Sequence, residues 1–110
     1  MKLVALKENK DFKRLYYRGK SFVSSDLVVY VMKNRTHNVR VGITTSKKVG
    51  KAVLRNRARR VIREAYYALS DEIKEGFDFV FVARTKTTFR KSTEIKKSME
   101  MLLKNAGVLK

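Results

Sequence analysis

At 110 residues the chain has the size of one domain, able to bury roughly two thirds of the surface its unfolded form exposes and too short for a second core. Twenty-seven Lys and Arg against ten Asp and Glu give a formal net charge of +17, far beyond what solubility needs, and so imply a negatively charged partner. The absence of cysteine excludes disulfides, thiolate chemistry and most zinc sites, and no apolar run approaches the ~18 residues of a membrane-spanning helix.

Residues 1–8 lack periodicity and read as an extended arm held by Leu3, Val4 and Leu6; they are too broken for a signal peptide, which with the missing cysteines suits a cytoplasmic protein. A first helix is expected over residues 9–17, with Asn9 as its N-cap and Gly19 as the stop beyond its end. Phe12, Leu15 and Tyr16 share one face of it, Phe12 and Tyr16 stacked at i, i+4 with Lys13 and Arg14 beside them. Taken alone, that is a core stripe.

Residues 21–24 and 27–32 read as strands. In the second, Leu27, Val29 and Val31 face one way and Val28, Tyr30 and Met32 the other, so both faces need cover: helices on one, something else such as a ligand cleft on the other. A third strand over residues 40–45 pairs most easily with the second through a polar turn at 34–38. Helical periodicity follows over residues 52–69, then an acidic link at 71–76. The run 77–83 is the most hydrophobic in the chain and is expected at the centre of the sheet, Phe77, Phe79 and Phe81 alternating with Val80 and Val82. A basic loop at 84–90 leads to a last helix over residues 92–105, with Ile95, Met99, Leu102 and Leu103 on one face and Gly107 as terminator. The order αβββαβα describes one α+β domain over residues 1–110, a two-layer body in which a four-stranded mixed sheet packs on helices.

The most unusual stretch is residues 46–63, whose eight cations, Lys47, Lys48, Lys51, Arg55, Arg57, Arg59, Arg60 and Arg63, come without a carboxylate. Between Leu27 and Arg63 there are eleven Lys and Arg and no Asp or Glu, so the basicity is concentrated. Beyond Gly50, Leu54, Ala58, Val61, Ile62, Ala65 and Leu69 fall in one helical arc, the buried face, with Asn56, Arg57, Arg59, Arg60 and Arg63 opposite. Neighbouring guanidinium groups repel by a few tenths of a kcal/mol per pair, and only Glu64 and Asp71 lie close enough along the helix to relieve them. A solvated face usually mixes its signs; a polyanion would remove the penalty here.

Catalysis by the protein alone is not expected. Asp71, Glu72 and Glu75 lie at a helix end, where water and lysines satisfy them, and His37 reads as an exposed turn residue. Gly42 and Gly50 are isolated, without phosphate-loop spacing. Binding is better supported: arginine pairs bidentately with phosphate, Asn56 adds a donor and an acceptor for ribose, base or a metal-bound water, and Phe12, Tyr16 and Tyr30 offer faces for unpaired bases. A sheet face that stacks bases fits single-stranded RNA better than a duplex groove.

Two segments resemble the protein subunit of bacterial ribonuclease P. V-G-I-T-T-S-K-K-V-G-K-A-V-L-R-N-R-A-R-R-V-I-R over residues 41–63 is similar to that family's hallmark, its R-N-R at Arg55, Asn56 and Arg57. D-F-K-R-L-Y-Y-R-G-K-S over residues 11–21 matches a second motif, and F-D-F-V-F-V-A-R over residues 77–84 extends the likeness. The resemblance implies the protein component of a ribonucleoprotein that removes the 5′ leader of precursor tRNA, with the RNA subunit and Mg2+ performing the hydrolysis and no membrane or further protein partner required. It also implies that the R-N-R helix (Lys47, Lys48, Lys51, Arg55, Asn56, Arg57, Arg59, Arg60, Arg63) faces the RNA subunit. A cleft of Phe12, Lys13, Tyr16, Tyr30 and Thr44, edged by Arg59, Arg60 and Arg63, would hold the leader, and Asn56 would be the one candidate near a protein-bound metal. A left-handed crossover between the third and fourth strands is a further implication. Tyr16 stands where the family more often has Phe, and Tyr17 adds a second ring.

The competing reading is a structural RNA-binding protein of ribosomal type, whose basic helix glues folded RNA. A membrane-surface helix is weaker, because the apolar face of that helix is needed for the core.

Overall fold

The computed structural model describes residues 4–110. Its elements run β1 (Val4–Ala5), α1 (Asn9–Arg18), β2 (Lys20–Val23), β3 (Leu27–Lys33), β4 (Arg40–Thr44), α2 (Ala52–Leu69), β5 (Phe77–Ala83) and α3 (Ser92–Asn105), with short 3-10 turns at Lys47–Val49, Ser70–Glu72 and Thr85–Phe89. They form the expected α+β domain around a mixed sheet, with one strand more than the four read from the sequence: β1 runs parallel to β4, and the Leu6 N–H donates to the Val41 carbonyl at 3.0 Å. Val4 and Leu6 thus hold the N-terminal arm as expected, while Leu3 lies outside the described residues.

The sheet order is β1-β4-β5-β3-β2, with β5 parallel to β4 and antiparallel to β3. The expected pairing of β3 with β4 does not form, because β5 inserts between them. The most apolar strand takes the place where both edges are paired and both faces covered. The 34–38 turn straddles its start instead of closing a hairpin: the Asn34 N–H donates to the Gly76 carbonyl at 2.9 Å and the Gly76 N–H to the Asn38 carbonyl at 3.1 Å.

Strand alternation then sorts the core into two. Leu27, Val29 and Val31 of β3 and Phe79 and Phe81 of β5 face α2 and α3, meeting Val61, Ile62, Ile95, Met99 and Leu102 in the main core. On the opposite face Leu15 of α1 and Leu6 pack on Val80, with Phe12, Tyr30, Met32 and Val82 half-buried around them. The two-layer body is therefore the sheet on α2 and α3, and α1 covers only part of the other face. The uncovered part becomes the site.

Both long helices end where periodicity placed them, and the differences are local. Glu8, not Asn9, is the N-cap of α1, and it makes no side-chain bond there. Gly19 ends α1 at an ordinary φ of −73°; it is needed for space, since a Cβ would lie 2.5 Å from the Leu15 carbonyl oxygen. In α2, Leu54 is exposed although it lies within the apolar arc, one position from its edge, while Tyr66, outside the arc, is buried.

Two carboxylates are buried as hubs. Asp78 accepts a bidentate pair from Arg40, at 2.9 and 2.6 Å, and a third bond from Asn34 Nδ2 at 2.8 Å. The Arg40 guanidinium is held above its ordinary value by that hydrogen bond, against the opposing cost of burial. Asp26 accepts from Ser24 and Ser98 and pairs with Arg90 at 3.4 Å, while its carbonyl takes the Thr87 hydroxyl at 2.6 Å, so the 84–90 segment is tied to the start of β3.

Candidate RNA-binding surfaces

The first surface is the gap between α1 and the sheet. The far edge of the Phe12 ring reaches Gly42 of β4, which has no side chain to keep it off: a Cβ there would stand 2.5 and 2.7 Å from ring carbons Cε1 and Cζ. One turn further along, Tyr16 meets Tyr30 of β3 edge to face, ring centres 4.9 Å apart, and its hydroxyl lies 3.4 Å from Thr44 Oγ1. With Lys13 and Asn9 at the rim, Phe12, Tyr16 and Thr44 enclose a cleft of about 350 Å3. Sequence spacing alone made Phe12 and Tyr16 a core stripe. In the fold only Leu15 is core; Phe12 is half-buried, and Tyr16 is 42% exposed. All five residues expected at a cleft are therefore in it or in contact with a residue that is.

The second surface is the N-terminal half of α2 with the segment before it. Lys47 and Lys48 stand exposed on the 3-10 turn, and Gly50, at φ 140°, makes the break that lets Lys51 start the helix. The N-cap residue, Lys51, makes no side-chain bond to the helix and no acidic residue occupies the first turn of α2, so cations crowd the positive end of the helix dipole. That arrangement repels itself and attracts anions. Arg55 is half-buried with its Nε enclosed and without a partner among the described residues. Asn56 is exposed, its Oδ1 accepting from Arg59 at 3.1 Å, and Arg60 lies near Glu64 at 4.0 Å.

Arg57 behaves differently from its neighbours. It donates from Nε to the Thr88 carbonyl at 3.2 Å and from Nη2 to the Arg90 carbonyl at 3.4 Å, bracing the 84–90 segment. The wheel explains this: Arg57 lies only about 40° from Val61 at 100° per residue, on the border of the buried arc.

Arg59 and Arg63 link the two surfaces. They border a small cavity of about 180 Å3 whose other walls include Phe12, Gly42, Leu6 and Tyr66. Arg60, expected at the same edge, is turned to the outer side of α2 toward Glu64. Burial pushes the Tyr66 phenol up to about 12, with Tyr67 adding to the effect, and its hydroxyl has no partner among the described residues.

As to metals, no cluster of three or more His, Cys, Asp or Glu side chains could hold an ion among the described residues. Asn56 does not fit one unaided: its single amide oxygen is engaged by a guanidinium, and cations surround it. Likewise, no helix among the described residues is long and apolar enough to cross a membrane. Asp26 and Asp78 went unnoticed in the sequence reading. Their signal was there, two isolated carboxylates beside or inside apolar strands of a very basic chain.

These features define a class: a small, strongly basic α+β domain with an open aromatic cleft beside a cationic helix. The comparisons with known proteins narrow it. The family model for Ribonuclease P matches residues 1–107. The ribonuclease P protein component of Clostridioides difficile (strain 630) is 47% identical over 104 residues, covering 94% of this chain and 91% of that one. The solved structure of the Staphylococcus aureus RNase P protein superimposes with a TM-score of 0.86 at 36% identity, covering 99% of this chain and 100% of that one. The RNase P protein from Thermotoga maritima gives a TM-score of 0.82 at 30% identity, covering 92% and 96%. The chain belongs to the ribonuclease P protein family, the protein component of the endoribonuclease that processes the 5′ end of tRNA.

Proposed function

We propose a division of labour between the two surfaces: the cationic helix α2 docks on the catalytic RNA subunit, and the aromatic cleft holds the single-stranded 5′ leader of precursor tRNA. The observation that carries this reading is the cleft itself. Rings from α1 and β3 stand open beside a row of cations, in a place where core packing would have closed them. An unpaired base can stack on Phe12 or Tyr16 while Lys13 meets its phosphate, a sequence-tolerant mode suited to leaders of varied sequence. Lys47, Lys48, Lys51, Arg55, Asn56 and Arg60 supply the contacts to the RNA subunit, and Arg59 and Arg63 reach both partners.

Magnesium belongs to this reading as an ion held mainly by RNA, since Asn56 is the only protein group suggested for it and lacks anionic company. The protein works in the cytoplasm and supplies position and charge neutralisation, not chemistry. A ribosomal-type RNA glue is disfavoured, because bridging folded RNA calls for no aromatic cleft. A membrane-surface role for α2 is disfavoured because its apolar face, Ala58 to Leu69, is already in the core. Reconstitution with a ribonuclease P RNA at low magnesium tests the proposal: the protein should stimulate cleavage of precursor tRNA and cleave nothing alone. Cleavage by purified protein free of RNA would overturn it.

A further inference from the structure

Three concavities run into one another along α1, and the residues they share make them one track. Lys13, at the rim of the aromatic cleft, also borders a hollow of about 600 Å3 on the outer side of α1, where Lys10, Arg14 and Tyr17 stand. Arg18 closes that hollow and opens a third, of about 320 Å3 at the end of the sheet, where Lys20 and Lys33 accompany Phe22 and Phe77. Among the described residues no carboxylate lines any of the three. Asp11 pairs with Arg14 nearby, so the unopposed charge rests mainly on the other cations.

An aromatic ring recurs at each station. Tyr16 turns into the cleft, and its chain neighbour Tyr17, about 100° further round the helix, cannot follow it there. Tyr17 is 89% exposed. A lone surface tyrosine calls for no explanation; one set among cations, on a path between two other aromatic pockets, matches the alternation of base and phosphate along a single strand. The far end of the path is rigid. Arg18 and Lys20 flank Gly19, whose N–H donates to the Leu15 carbonyl at 2.9 Å and which has no room for a side chain, a Cβ there lying 2.5 Å from the Leu15 carbonyl oxygen and 3.1 Å from that of Val31.

We propose that the leader does not stop at the cleft but continues over Tyr17, along the outer side of α1, to the pocket of Arg18, Lys20 and Lys33. This rests on the cleft being the leader site. From Lys13, shared with the cleft, to Arg18 the helix advances about 7.5 Å, which at about 3.4 Å per stacked nucleotide adds on the order of two nucleotides of leader before the pocket at the end of the sheet.

The test compares holoenzyme affinity for precursor tRNAs with a leader that fills the cleft alone and one long enough to reach the pocket of Arg18, Lys20 and Lys33 as well. For the wild-type chain the longer leader should bind about tenfold more tightly, the scale of one stacked base with its phosphate contacts. That ratio should fall toward unity in Tyr17→Ala and in the Lys20→Ala/Lys33→Ala double variant. Phe12→Ala is the control for the underlying reading and should weaken binding of the short leader. If Phe12→Ala leaves short-leader affinity unchanged, the cleft assignment falls and the track with it. If Phe12→Ala acts as expected but the ratio stays at its wild-type value in the Tyr17 and lysine variants, the extension alone is overturned. Weaker assembly with the RNA subunit at an unchanged ratio also overturns it, and gives the surface to that RNA instead.

Discussion

Gly42→Ala is a one-carbon change with a large expected effect. The new Cβ would lie 2.5 and 2.7 Å from Phe12 Cε1 and Cζ, against about 3.5–4.0 Å for ordinary carbon contact, so the ring or β4 must shift by roughly 1 Å. The strand cannot give easily, being paired with β1 on one side and β5 on the other. The ring moves, and overpacking of this kind costs about 1–3 kcal/mol of stability. Because Phe12 is a wall of the cleft, leader-dependent affinity should fall as well, by up to the ~1–3 kcal/mol that truncating a stacking ring costs. Denaturant unfolding of Gly42→Ala, Phe12→Ala and the double variant measures the coupling. With the ring gone the methyl group has room, so the double variant should lose less stability than the two single losses added together. Additive losses, or a Gly42→Ala holoenzyme that still discriminates leader-bearing from mature tRNA as wild type does, would refute the reasoning.

Tyr66→Phe removes a buried hydroxyl that has no partner among the described residues and should raise stability at neutral pH by about 1 kcal/mol in denaturant unfolding. Burial raises the Tyr66 phenol from 10.0 to about 12, so the folded state holds this proton longer than the unfolded chain. The associated stability is complete below about pH 10 and lost as pH rises toward about 12, and the Phe variant should lack that alkaline loss. Arg57→Ala should destabilise the domain by about 1–2 kcal/mol, since it frees the carbonyls of Thr88 and Arg90. Arg60→Ala, on an exposed side chain, should leave stability nearly unchanged and lower the log–log salt slope of RNA-subunit binding by about one unit. Equal salt slopes for wild type and Arg60→Ala would remove Arg60 from that interface.

Periodicity revealed the helices because each buries a continuous arc. Residues 52–69 and 92–105 return as α2 and α3 with those bounds, and Ile95, Met99, Leu102 and Leu103 are all core. The central place of β5 was legible from its unbroken hydrophobicity. Its partners were not, since a short polar turn at 34–38 looks the same whether it joins neighbouring strands or straddles a third. The two-residue β1 carries too little pattern to be seen. At the site, the residue types were readable but their directions were not. Phe12 and Tyr16 differ from Leu15 in exposure because α1 covers only part of the sheet, and Arg57 differs from Arg60 because the 84–90 segment lies within its reach. Both depend on contacts between residues far apart in the chain.

The division between a leader-holding cleft and an RNA-docking helix is tested most directly by Phe12→Ala and Tyr30→Ala in the reconstituted holoenzyme, with affinities measured for precursor and mature tRNA. Each substitution should weaken binding of the leader-bearing precursor while leaving mature tRNA and assembly with the RNA subunit at wild-type values. Unchanged precursor binding, or an equal loss for precursor and mature tRNA, would contradict it.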